Sequence, residues 1–113
     1  MSDPSSGAPS NRSAHRRRVL LSGRIVSGPA ELTVECAITD LSQGGARVRL
    51  AGVPMLTEPL YLIDLSHGYA FKARQAWRRA NLLGLAFTEY YDLRHPPPEL
   101  PKLIRRLWVE QTR

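Results

Sequence analysis

Two clusters in this 113-residue chain carry side chains able to do chemistry. The first is Arg12, Arg16, Arg17 and Arg18, four permanently charged guanidiniums whose donor forks suit anions. The second is Asp40-Leu41-Ser42-Gln43-Gly44-Gly45, a carboxylate, a hydroxyl and two glycines in one short stretch. Each alone has a plain structural reading. A basic cluster is commonly a solvated arm, and Asp-x-Ser-x-x-Gly is common turn chemistry, with Asp and Ser bonding nearby backbone and Gly supplying positive φ. The rest of the inventory is sparse. Cys36 is the only cysteine, so no intrachain disulfide forms, and it lies among the apolar positions of its segment as a core thiol. His15, His67 and His95 are scattered, without metal-ligand spacing, and Glu31 and Glu35 read as solvated. No nucleophile with its base and no paired carboxylates can be assembled, so neither catalysis, a metal nor a cofactor is expected.

The net charge is +6, and its placement matters more than its size. Residues 1–18 and residues 102–113 each carry a surplus of +3, while residues 19–101 hold eight basic and eight acidic side chains. Basicity confined to the ends suits an arm closing on an anion, or a tail touching nucleic acid or an acidic partner. No apolar run approaches the roughly 20 residues that span a bilayer, and the Ser-, Pro- and Arg-rich start does not read as a secretory signal. A cytoplasmic protein is the expectation.

The elements that must position these residues follow from periodicity. Residues 1–14 show no apolar repeat and read as a flexible N-terminal arm. From there the repeat is two: Leu32, Val34, Cys36 and Ile38 alternate with Thr33, Glu35, Ala37 and Thr39, and Ala46, Val48 and Leu50 with Arg47 and Arg49. Strands are predicted at Val19–Ser27, over these two segments, and at Leu60–Leu65, Tyr69–Arg78 and Leu83–Thr88, with turns at Ser27-Gly28-Pro29, Ser42–Gly45, His67-Gly68 and Ala80-Asn81. In Tyr69–Arg78 the alternation places Phe71, Ala73 and Trp77 in the core, with Lys72, Arg74 and Arg78 opposite. Six short strands point to a closed antiparallel barrel, all-β, over residues 15–92. Leu100, Leu103, Ile104, Leu107 and Trp108 then fall at helical spacing, so a C-terminal helix over 99–111 should pack its apolar stripe on the barrel.

In this order, ahead of a six-strand pattern, the two clusters resemble the signature of the PilZ domain family: Arg-x-x-x-Arg before the first strand and Asp/Asn-x-Ser-x-x-Gly after the second. Arg12-Ser13-Ala14-His15-Arg16 matches the first half literally, with Arg17 or Arg18 as alternative occupants of the place nearest the strand, and Asp40, Ser42 and Gly45 match the second. Gly45-Ala46-Arg47-Val48, Ala76-Trp77-Arg78 and Leu83-Gly84-Leu85-Ala86-Phe87 are similar to later family strands, so the likeness covers about residues 12–90. The resemblance implies a six-stranded PilZ-type β-barrel that binds cyclic di-GMP, a bacterial second messenger. Arg12, Arg16, Arg17, Arg18, Asp40, Ser42, Gly44, Gly45 and Arg78 are its implied ligand contacts. Guanidiniums can fork onto phosphates or the O6/N7 edge of guanine and stack on purine faces. Asp40 would accept from guanine N–H groups, Ser42 would donate, and Gly45 would let ligand approach the backbone. Signalling is expected to run through ordering of the Arg-rich arm over the ligand, changing the surface offered to a protein effector. Two other readings are a PilZ adaptor that has lost its ligand and a basic-tailed barrel binding nucleic acid. The formally neutral barrel weighs against the second.

Overall fold

The structure, a computed structural model, describes residues 17–112, and the side chains of 18–110. Arg12, Arg16 and the arm at 1–14 lie outside the described residues. Six strands run β1 (Arg17–Ser27), β2 (Leu32–Leu41), β3 (Gly45–Leu50), β4 (Leu60–Asp64), β5 (Tyr69–Arg79) and β6 (Leu82–Asp92), followed by helix α1 (Lys102–Thr112). All neighbours are antiparallel, and the sheet closes in the order β1-β2-β3-β6-β5-β4. This is the expected all-β barrel with a C-terminal helix. Several strands outrun their apolar repeat: β2 continues through Asp40, and β6 reaches Asp92, because the backbone ladder persists where the alternation fades.

Two apolar clusters hold the fold together. The barrel interior is filled by Ile25, Val34, Ile38, Val48, Leu62, Leu83 and Leu85 with their neighbours. A second cluster lies outside, where Val26, Ile63, Leu65 and Ala70 meet Leu93, Leu100 and Ile104. β1 and β4 are therefore apolar on both faces, which is why Leu60–Leu65 reads as a run and not as an alternation. The helix covers this outer face as its spacing predicts. Its Trp108 ring sits against Gly68, where a Cβ would lie 2.9 Å from the indole. Gly68 also has φ +79°, so the β4–β5 turn uses glycine for both clearance and backbone conformation. Asp64, 1% exposed, secures that turn by accepting from the Ser66 and His67 amides at 2.9 and 3.1 Å and pairing with His67 Nδ1 at 2.8 Å.

Register shifts decide which side chains face out. One lies in β2 against β3, where Ile38 pairs with Val48 and Asp40 with Arg47, leaving Thr39 as the extra residue. Without it, a period of two would send Asp40 inward with Ile38; the bulge turns it to the outer face beside Arg47. A second shift, between Gln75 and Trp77 on β5, corrects the alternation read above. Trp77 leaves the face of Ala73 and lies outside over Gly84, 40% exposed, while Arg78 pairs across from the core residue Leu83.

Candidate functional site

The Asp40 bulge organises a row across five adjacent strands. Arg18 on β1 pairs with Asp40 on β2, Asp40 with Arg47 on β3, Arg47 with Gly84 on β6, and Gly84 with Trp77 on β5. Directly opposed residues share a face, so the row displays a guanidinium, a carboxylate, a second guanidinium and an indole on the barrel's outer wall. Gly84 leaves room for the indole, since any Cβ there would collide with Trp77. Arg49, two residues beyond Arg47, points the same way. A cleft of about 580 Å³ opens at this row, lined by Arg18, Thr39, Asp40, Arg47 and Arg49 with apolar walls from Val19, Leu20 and Leu82. Three arginines face one carboxylate, so the cleft is cationic although the barrel segment is formally neutral. Asp40 is 7% exposed and has Arg47 Nε at 3.1 Å from Oδ2. That N–H is not aimed at the carboxylate and makes no hydrogen bond among the described residues, so the contact is an ion pair of imperfect geometry.

The turn after Asp40 is closed by its own groups. The Ser42 amide donates to the Gly45 carbonyl at 2.9 Å, and the Gly45 amide donates to Ser42 Oγ at 3.2 Å. The two glycines answer to different needs, and neither has positive φ, contrary to the turn chemistry expected above. A Cβ on Gly45 would overlap the Leu85 carbonyl of β6, whereas one on Gly44 would meet nothing within 4 Å. Gly45 is thus required by the sheet itself, and only Gly44 leaves open space beside the turn.

A larger cleft, about 890 Å³, lies at the barrel mouth on the other side of this turn. Ser42 and Gln43 form one rim, Asp64, His67 and Glu89 another, and Phe71 and Phe87 stack at its base with ring centroids 4.2 Å apart. Its lining among the described residues includes two carboxylates and no arginine, so size notwithstanding it is the poorer seat for an anion. Of the sequence-predicted contacts, the structure brings Arg18 and Asp40 together at the cationic cleft and sets Ser42 at the mouth. Arg17 opens β1 opposite Leu41, with its side chain outside the described residues. Arg78 does not join the cleft: its Nε donates to Ala80 O at 2.7 Å and its Nη2 to Pro54 O at 2.9 Å, tying the β5–β6 turn to the β3–β4 loop. Arg47 and Arg49 are site residues that the motif does not mark, though the alternation Arg47, Val48, Arg49, Leu50 directly after it already puts both arginines outside, and Trp77, able to stack on a guanine but expected in the core, lies on the outer wall.

With that geometry in view, residues 10–95 match the PilZ domain family. The chain belongs to the PilZ family. The match starts ahead of β1, taking in Arg12 and Arg16, and ends before α1, so the helix is additional to the matched domain. No match was found among curated proteins. Like other PilZ domains, the chain is a non-catalytic module of cyclic di-GMP signalling. Among the described residues no His, Cys, Asp and Glu group could hold a metal ion, and no helix is long and apolar enough to cross a membrane.

Proposed function

We propose that this PilZ domain is a cytoplasmic cyclic di-GMP receptor whose ligand sits in the cleft beside Asp40, between the barrel wall and the arginines that precede β1. The observation that carries the reading is the outward turn of Asp40 by the β2 bulge into a cleft with three arginines. A dianion with two guanines needs both signs of group: guanidiniums for its phosphates or guanine O6/N7, and a carboxylate for guanine N–H donors. Arg12, Arg16 and Arg17 supply the remaining guanidiniums, Arg17 opening β1 opposite Leu41, next to Asp40, and Arg12 and Arg16 preceding it in sequence. Gly44 borders the ligand at the turn, Ser42 holds that turn closed from the side of the neighbouring cleft, and Arg78 acts on the loops below.

Closure of residues 12–18 over the ligand is the signal, since it changes the surface shown to a protein effector. Amide hydrogen exchange over residues 8–19 is expected to slow when cyclic di-GMP binds; unchanged exchange there, at saturating ligand, refutes the arm mechanism. Cyclic di-GMP at about 100 times Kd should add about 2.7 kcal/mol of stability. For a domain of this size that corresponds to a melting temperature higher by roughly 10 °C. GTP and cyclic di-AMP should leave the melting temperature where it was.

A further inference from the structure

The family motif accounts for Asp40 and for the arginines ahead of β1, but not for Arg47 and Arg49, which β3 carries on the same outer face. Their side chains stand about 7 Å apart along the strand, the rise of two residues. Among the described residues the one ion-pair partner of Arg47 is Asp40, close at 3.1 Å but misaligned. Its side chain is 40% exposed toward the cleft, and its Nε is a buried donor without a hydrogen-bond acceptor among the described residues. Arg49 is exposed, and neither cross-strand partner, Ala37 nor Leu82, offers a charge. The described part of the cleft thus keeps two positive charges uncompensated by its one carboxylate.

We propose that Arg47 and Arg49 form a strand-borne phosphate seat for the dinucleotide, and that Arg47 exchanges partners on binding, passing the Asp40 carboxylate to the ligand's base N–H groups and taking a ligand phosphate. The proposal rests on the receptor reading above and names two binding residues beyond it. The exchange costs Asp40 its cationic neighbour and returns neutral donors in a better line, and the loss is offset because Arg47 trades a misaligned carboxylate for a phosphate it can fork. The barrel wall therefore contributes to phosphate binding independently of the arm.

Calorimetric titration of cyclic di-GMP into the full chain and its Arg47→Gln, Arg49→Gln, Arg47→Lys, Asp40→Asn and Asp40→Asn/Arg47→Gln variants, at low and high salt, tests it. Arg47→Gln and Arg49→Gln should each raise Kd about tenfold at low salt and flatten its salt dependence, because a screened charge pair has been removed. Arg47→Lys should fall between wild type and Arg47→Gln, keeping the charge without the fork. The Arg47→Gln loss should persist in the Asp40→Asn background. Melting curves of each variant without ligand separate loss of a contact from loss of the fold. If wild type binds and both glutamine variants keep its Kd and salt response, the phosphate seat is refuted and the receptor reading stands. If the Arg47→Gln effect vanishes in the Asp40→Asn background, Arg47 merely positions Asp40 and the exchange is refuted. Absence of binding by well-folded wild type refutes the receptor reading, and the seat falls with it.

Discussion

Gly44 and Gly45 are adjacent in the same turn, yet their environments predict opposite outcomes when each is replaced by alanine. At Gly45 the new Cβ falls well inside the 3.0 Å that real Cβ contacts keep, against the Leu85 carbonyl, a backbone atom that cannot rotate away. Relief requires β3 to move from β6 where Gly45 pairs with Ala86, and the neighbouring bond from the Phe87 amide to the Gly44 carbonyl, 2.9 Å, stretches with it. Overpacking of this kind costs about 1–3 kcal/mol, and a weakened hydrogen bond adds about 1 kcal/mol. A total of about 2–4 kcal/mol lowers the melting temperature of a domain this size by roughly 10 °C or more. At Gly44 a Cβ meets nothing within 4 Å and φ is not positive, so alanine should leave the melting temperature unchanged or slightly higher. Thermal unfolding followed by circular dichroism reads both. The steric assignment is wrong if Gly45→Ala melts within 2–3 °C of wild type, a range worth only about 0.5 kcal/mol. If ligand does pass close to the turn, Gly44→Ala should weaken cyclic di-GMP binding without touching stability, the reverse of the pattern at Gly45.

Other consequences follow from the packing. Burial pushes the Cys36 thiol up to about 12 from 9.0, partly offset by Arg24, so a thiol reagent at pH 8 should label the unfolded chain and leave the folded one nearly untouched. The sign for stability is set by the raised folded value. Cys36 contributes fully below about pH 9.0 and the contribution is lost as pH rises from there toward 12, so a Cys36→Ala variant should show less alkaline destabilisation than wild type. Arg78→Ala removes two bonds to backbone carbonyls and should cost about 1–3 kcal/mol in denaturant unfolding while cyclic di-GMP affinity holds; an unchanged stability with lost affinity would return Arg78 to the site. Ile104→Ala, at a fully buried position between helix and barrel, should destabilise by about 2–4 kcal/mol by the same measurement, and a neutral result would mean that α1 is not part of the cooperative fold.

Much of the fold was readable because β3 and the inner face of β2 obey a period of two and α1 obeys its helical spacing. What stayed hidden turns on single extra residues. Nothing in Ile38-Thr39-Asp40 announces that Thr39 is bulged, yet that residue alone decides whether Asp40 faces the core or the cleft. The same event on β5 moved Trp77 from the expected core to the outer wall, where it lies over Gly84. Counting charge along the chain concealed another feature. Arg47 and Arg49 vanish into a balanced segment, but pairing of β1 with β2 and of β2 with β3 sets them beside Arg18. The Asp-x-Ser-x-x-Gly stretch marked the right turn, while Gly45 serves packing against β6 and Ser42 faces a different cleft from Asp40.

The most direct test of the central claim is calorimetric titration of cyclic di-GMP into the purified chain, beside Arg16→Ala and Asp40→Ala variants shown by melting curves to be folded. Saturable binding by wild type, with affinity reduced at least about tenfold in each variant, is the predicted result, a loss of about 1.4 kcal/mol or more per contact. No heat and no change in melting temperature at high ligand, or wild-type affinity in the Asp40→Ala variant, would contradict a receptor site built on the outward-turned Asp40.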